Sequence, residues 1–264
     1  MTDLSKKRIY RDYYRLHILP RKGPLTKKRL ISSAKTFDLH FGEFLPQNRE
    51  SPLLDVGCGS GALVWWLHSR GYANAAGIDL SQDQIAAGHA LNIVNLFNEG
   101  LTEHLERCAT RYSLVFLRDV IEHIAPDELL DFMDVVYSAV SLEGRVVLQT
   151  PNASHPFFGR VLYGDFSHEH AFTAASLSQI LLLSGFDRPA FKPFEPRLPP
   201  FRWRRFVSPR GWRDLRRVLA WSLVKRFYRF LLRAEFGDGD HIVTYNIIAC
   251  AAKTGRDPVN PGRP

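Results

Sequence analysis

An open α/β sheet of parallel strands with helices on both faces is the fold this sequence predicts, on three observations. Beyond residue 50, short apolar runs alternate with segments of helical period, the pattern of a parallel sheet covered on both sides. One run, Leu53-Leu54-Asp55-Val56, leads directly into Gly57-Cys58-Gly59-Ser60-Gly61 and then into helix-forming residues, a strand, a glycine turn and a helix in immediate succession. A second run ends at Asp79, 18 residues beyond Gly61, the separation at which an acid closing the second strand can accept from ribose hydroxyls.

The elements follow in chain order. Residues 1–48 precede the alternation; Tyr10, Tyr13, Tyr14 and Leu16, then Leu30, Ile31, Ala34 and Phe37, suggest a helical cap over the cleft whose aromatics pack onto the sheet. Residues 49–194 form the core, with strands expected near 52–56, 75–78, 93–96, 114–117 and 146–150. Ser81 is the expected N-cap of a helix over 82–90, and Pro126 opens another over 126–140 with Asp127 and Glu128 in its first turn. A helix over 176–183 stops at Gly185, and Phe186 resumes an extended segment. Residues 195–240 are an insertion, proline-rich at first and then rich in arginine and aromatics. Its basic arcs at 213–217 and 225–233 do not align on a helical wheel, which predicts two shorter helices. Residues 241–264 hold the last core strand, over 241–253, and a disordered tail.

The glycine loop discriminates among cofactors. Gly57, Gly59 and Gly61 allow a left-handed backbone and close approach of a ligand. A dinucleotide loop reads G-x-G-x-x-G, whereas here D-x-G-x-G-x-G sets Asp55 two residues before the first glycine. A carboxylate there is a poor neighbour for a pyrophosphate and a good one for a ligand carrying ammonium and sulfonium charges, as S-adenosylmethionine (SAM) does. LLDVGCGSGAL and the later GIDLS resemble the first two motifs of class I SAM-dependent methyltransferases, without a gap. That resemblance implies a Rossmann-like sheet with an antiparallel last strand. It also implies a SAM site drawn from Asp55, Gly57, Cys58, Gly59, Gly61, Asp79, Leu80, Arg118 and Asp119. Such proteins often carry an acid beside the adenine after the third strand, where this chain offers Asn98 or Glu99.

Methyl transfer from a sulfonium is an in-line displacement, so bases for an acceptor proton are sought at the carboxyl ends of the strands. Asp119, Glu122 and His123 follow the fourth strand; were the segment helical, their spacing would bring them together. They could hold a divalent metal such as Mg2+, serve as an acid/base set with Glu122 and His123 catalytic, or leave His123 merely capping the turn. The DVIEHI run resembles the E-x-x-E-H segment of quinone-biosynthetic O-methyltransferases, which implies a metal on Asp119, Glu122 and His123, with Asp119 in place of a glutamate. Asp165 and His168, in the loop 163–173, are further candidates for acceptor binding or proton removal. This loop, the RWxxR of the insertion and the N-terminal YRDYY resemble methyltransferases of bacterial O-antigen and capsule assembly. The acceptor implied is a glycan hydroxyl or its lipid-linked precursor. A prenylated quinone precursor, RNA, and a non-catalytic SAM-binding scaffold are the alternatives.

Composition narrows the partners. The net charge of +8 concentrates its basic excess in residues 6–29 and 197–233, which points to an anionic partner. A carrier phosphate or an acidic membrane surface met through 197–233 fits, an ordinary helical lid fits equally, and nucleic acid is supported by charge and aromatics alone. The three cysteines, Cys58, Cys108 and Cys250, include no C-x-x-C pair, so neither a disulfide framework nor a zinc knuckle is indicated. No apolar run nears the roughly twenty residues of a membrane span. A cytoplasmic protein, peripheral on the membrane if the insertion binds it, is the expectation.

Overall fold

The computed structural model describes Ile9 and residues 11–194, 209–237 and 241–255. Strands β1 (Leu53–Val56), β2 (Ala75–Ile78), β3 (Leu96–Phe97), β4 (Tyr112–Arg118), β5 (Val140–Pro151), β6 (Ala190–Phe194) and β7 (Asn246–Ala252) form one sheet in the order β3-β2-β1-β4-β5-β7-β6. The first five run parallel, β7 lies antiparallel to β5, and β6 pairs antiparallel with β7 at the edge. This is the Rossmann-like sheet with a reversed last strand that the sequence predicts. The chain winds outward from β1 in one direction and from β4 in the other, so a crevice opens at the carboxyl ends of these two strands, where open α/β sheets bind ligands.

Helices α1 (Leu19–Lys22), α2 (Lys27–Phe41), α3 (Ala62–Ser69), α4 (Gln82–His89), α5 (Leu101–Arg107), α6 (Leu129–Ala139), α7 (Phe158–Leu162), α8 (Ala174–Leu183) and α9 (Pro209–Phe236) surround the sheet. Alternation along the strands sends Leu54, Val56, Val115 and Leu117 to one face, against Met133, Val136 and Leu181 of α6 and α8. It sends Leu53, Leu114 and Phe116 to the other, against Phe37, Phe41, Leu63 and Trp66 of α2 and α3. The fully buried Trp66 donates from Nε1 to Asp38 Oδ1 at 2.9 Å, pinning α2 to α3 and through it to β1. That contact makes the N-terminal region part of the core rather than an appendage.

Several boundaries differ from expectation for local reasons. β3 is only Leu96–Phe97, since Asn92 and Asn95 take left-handed φ of 58° and 56°, which interrupts an extended run before Leu96. β5 begins at Val140, six residues before the expected start, directly after α6, which opens at Leu129 rather than at Pro126 and ends at Ala139. β7 starts at Asn246, five residues later than predicted, and the extended segment expected after Phe186 forms the edge strand β6. The largest correction is α9, one continuous helix of 28 residues where two were predicted. No proline or glycine interrupts it after Gly211, and a helix need not be amphipathic about a single axis when two of its faces are apolar. The start of the insertion, residues 195–208, together with Tyr10 and the tail beyond 255, lies outside the described residues.

Candidate functional site

At the carboxyl end of β1 the backbone turns through Gly57, Gly59 and Gly61, with φ of 70°, 57° and 75°, all in the left-handed region. A Cβ on Gly57 would stand 2.5 Å from Val120 Cγ2, and one on Gly61 2.6 Å from Leu96 Cδ1, so sterics and conformation both require glycine. The amides of Gly57 and Cys58 donate to Ile78 O, each at 2.9 Å, tying the loop to the end of β2. Asp79 braces it further: Oδ2 accepts from Gly59 N and Oδ1 from Ser81 N, both at 2.8 Å. The ribose role expected of Asp79 therefore falls to the remaining lone pairs of a carboxylate already held by the backbone.

Asp55 is fully buried on β1, and neither of its oxygens has a hydrogen-bond partner. Burial pushes its pKa up to about 7, opposed by the Arg118 guanidinium and assisted by the charge of Asp79. Arg118 lies over Phe37 at 4.7 Å from the ring centre and over Phe41 at 5.8 Å, and its buried Nε is likewise unpartnered. An unsatisfied buried carboxylate near a half-buried guanidinium whose Nε is unpartnered suits the ammonium and carboxylate of an amino-acid moiety. Cys58 is buried beside them with its thiol driven up by the same desolvation, so it offers a neutral apolar wall. Leu80, exposed at the end of β2, presents an apolar surface. Asn98 donates to the backbone oxygen of Asp79 at 2.8 Å, and Glu99 is held by Arg107 and the buried His104. The acid expected beside an adenine is thus engaged within the protein.

Beyond β4 the predicted helical grouping does not form. Asp119 takes φ of 55°, and only residues 121–123 make a short 3-10 turn. The left-handed step swings Asp119 away: its Oδ1 accepts from Gln149 Nε2 and Asn246 Nδ2, each at 3.0 Å. Glu122 and His123 instead meet His168 from the distant loop, with one potential ligand atom from each within 4.8 Å of the others. Asp119 is not in this group, so the set Asp119, Glu122 and His123 expected to hold a metal is not assembled. Glu122 is fully buried; its Oε2 accepts from Thr150 Oγ1 at 3.0 Å, its Oε1 has no partner, and burial followed by the charge of Asp119 raises its pKa well above the ordinary value.

The histidines are oriented by carbonyls, which can only accept. His123 Nδ1 lies 3.2 Å from Ser167 O and His168 Nδ1 lies 3.1 Å from Val161 O, so each Nδ1 donates, and in the neutral ring Nε2 is the nitrogen with the lone pair. Burial and then the neighbouring His168 hold the His123 pKa below its usual value. Sequence reasoning missed what holds the loop. Tyr13 donates from its hydroxyl to Asp165 Oδ2 at 2.8 Å, and His17 Nε2 meets the same oxygen at 3.0 Å from a π-helical turn, Tyr14–Ile18. Asp165 Oδ1 accepts from Ser167 N and Oγ at 3.0 and 2.7 Å. Arg15 pairs with Asp83 of α4, so the cap bridges the loop and the glycine-loop side of the crevice. The tyrosine-rich N-terminus was the available signal, but nothing local pairs it with a residue 152 positions away.

Residues 33–188 match the family model described as methyltransferase domain. The chain belongs to that family. Among curated relatives of this methyltransferase domain is a ubiquinone biosynthesis O-methyltransferase of Erwinia tasmaniensis, 31% identical over 128 residues, covering 40% of this chain and 51% of that protein. A small RNA 2'-O-methyltransferase of Mus musculus is 27% identical over 56% of this chain and 39% of its own length. The chain spans about half the length of the ubiquinone relatives it matches. A SAM-dependent methyltransferase from Archaeoglobus fulgidus superposes with a TM-score of 0.63 at 19% identity, covering 92% of this chain and 100% of that one. Magnesium protoporphyrin IX methyltransferase from Synechocystis, solved with bound SAM, gives 0.53 at 15% identity over 94% and 96%. These likenesses establish the SAM-dependent methyltransferase fold around the glycine loop and Asp55.

Proposed function

We propose that this chain is a SAM-dependent O-methyltransferase whose acceptor hydroxyl sits at Glu122, His123 and His168. The observation that carries the reading is the convergence of these three side chains beside the glycine loop, which Val120 links to the turn that carries Glu122 and His123. SAM supplies an electrophilic methyl on a positively charged sulfur and leaves as the neutral thioether. Asp55 and Arg118 would hold its amino-acid end, the glycine loop and Asp79 its ribose, and Leu80 would lie against its base. The protein's remaining task is to align the acceptor oxygen and take its proton.

The Nε2 of His123 can receive that proton. Alternatively, a buried carboxylate and two imidazole lone pairs form a donor set suited to a divalent cation, which would lower the hydroxyl pKa by direct coordination. The unpartnered Oε1 of Glu122 fits such an ion. Asp165, fixed by Tyr13, His17 and Ser167, accepts the His168 amide on its backbone carbonyl at 3.2 Å and so positions His168 rather than reacting.

For the acceptor, the donor set and the ubiquinone O-methyltransferase relatives favour a phenolic hydroxyl of a prenylated quinone precursor. A glycan hydroxyl, free or lipid-linked, is the second reading; the strongly exposed Tyr163 and Phe166 flanking Asp165 favour it, as aromatic faces on which a sugar ring stacks. The test gives the purified chain methyl-labelled SAM with a prenylated catechol or a lipid-linked oligosaccharide, with and without EDTA. Label on the phenol ether that EDTA abolishes and Mg2+ restores supports the metal reading; EDTA-insensitive label supports His123 as base. Label on the sugar alone selects the second acceptor. SAM binding with no transfer to either would favour a non-catalytic scaffold.

A further inference from the structure

Helix α9 is apolar on two faces. The inner one presents the half-buried Trp221, Val224, Tyr228 and Leu232, and the Trp221 ring lies 5.2 Å from that of His155 on the loop after β5. That contact seats the helix on the body. The outer face carries Leu219, Leu223, Phe227 and Phe230, which are 55%, 65%, 64% and 66% exposed. Steps of four, four and three residues stack these side chains into one stripe along the helix. A solvated helix normally turns charge outward; here Arg216 and Arg226, both exposed, flank an apolar outer stripe instead. From Pro209 to Phe236 the sequence has eight basic residues against two acids.

We propose that the outer face of α9 docks in the plane of a bilayer rich in anionic phospholipid, with the Leu219–Phe230 stripe in the headgroup boundary and Arg216 and Arg226 on lipid phosphates. An interfacial helix needs an apolar face beside a basic one, not a long uncharged run, and among the described residues no helix is long and apolar enough to cross a membrane. Charge complementarity selects this occupant. In a symmetric pairing of two copies the stripe would bring Arg216 and Arg226 against the same arginines of the other chain, a like-charge cost at its centre. Nucleic acid would satisfy the arginines but offers no apolar volume for Leu219 and Leu223. The exposed Phe157, whose ring packs edge-on to His155 at 5.8 Å, adds apolar surface on the loop against which the helix sits.

Vesicle flotation of the full chain, without acceptor, tests this apart from catalysis. Vesicles of phosphatidylcholine with phosphatidylglycerol should bind at least tenfold more tightly than phosphatidylcholine alone. Each basic residue near an anionic surface contributes about fivefold, so Arg216→Gln with Arg226→Gln should weaken binding about 30-fold. Leu223→Glu with Phe227→Glu should weaken it at least tenfold, with SAM affinity by calorimetry unchanged as the check on folding. Should the glutamate pair lose SAM binding as well, the arginine pair alone decides. Equal binding to neutral vesicles, binding untouched by the arginine pair, or a stripe-dependent dimer in sedimentation would overturn the proposal.

Discussion

Asp55→Asn is the substitution with the largest worked consequence. A carboxylate that titrates near 3.8 in the unfolded chain and at about 7 in the folded one binds its proton more tightly when folded. Stability from this group is therefore lost as pH rises from about 4 to 7, and the full difference corresponds to about 4 kcal/mol by linkage. Between pH 5 and pH 8 the lost part is about 2.5 kcal/mol. Asparagine has nearly the same shape and does not titrate. Any cost of its own unpartnered amide is the same at both pH values and cancels when the two are compared. Urea unfolding of both proteins at pH 5 and pH 8, without cofactor, should thus show the variant gaining about 2.5 kcal/mol on the native chain as pH rises. Calorimetry at pH 8 should show the reverse for function: SAM loses the counter-charge for its ammonium, and affinity falls on the order of a hundredfold if about 3 kcal/mol of charge-assisted bonding goes. SAM binding to the native chain should also weaken below pH 7 as Asp55 protonates, a dependence that the asparagine variant lacks. A stability difference that does not change between pH 5 and pH 8 would refute the buried unpaired carboxylate, and unaltered SAM affinity would refute its role.

Three further outcomes follow from the same geometry. Gly61→Ala pairs a left-handed φ with a 2.6 Å approach to Leu96 Cδ1, so it should cost about 1–3 kcal/mol in urea unfolding and weaken SAM binding in calorimetry. Glu122→Gln keeps volume and the Thr150 contact but removes the anionic ligand; if a cation is held there, kcat should fall by about a hundredfold and the Mg2+ concentration for half-activity should rise. Tyr13→Phe removes one donor to Asp165, whose pKa stays below the ordinary carboxylate range through Ser167 and Tyr13 in spite of burial. The loss, about 1 kcal/mol at pH 7, should lower Tm by about 2–4 °C, raise the acceptor KM, and fade below pH 4 as Asp165 protonates.

The cofactor half of the site was readable because its parts lie close together in sequence. Leu53 to Gly61 is a strand and a turn whose φ values only glycine tolerates, and Asp79 returns at a separation fixed by one helix and one strand. Even the unusual state of Asp55 follows from placing an acid in a strand buried on both sides. What cannot be read locally is the helix–helix contact of Trp66 with Asp38, which turns the cap into core, and the continuity of α9, whose basic arcs at 213–217 and 225–233 lie on different sides of a single helix.

The acceptor half fails the same test for a different reason. A local reading of Asp119, Glu122 and His123 assumes a helix, but the chain leaving the carboxyl end of the central strand β4 turns away from the strand axis, and Asp119 does so with a left-handed step. That step gives Asp119 to Gln149 and Asn246, and it leaves Glu122 and His123 facing the loop instead of a helical neighbour. The third member then comes from 45 residues beyond His123, held in place by a tyrosine from the N-terminal cap. Each of these groups is ordinary in its own segment, and only the fold makes them one site. An acceptor site assembled from a strand end, a loop and a cap can be rebuilt for a new substrate without disturbing the glycine loop. The family motifs therefore identify the cofactor firmly, while the acceptor must be argued from Tyr13, Glu122, His123, Asp165 and His168 themselves.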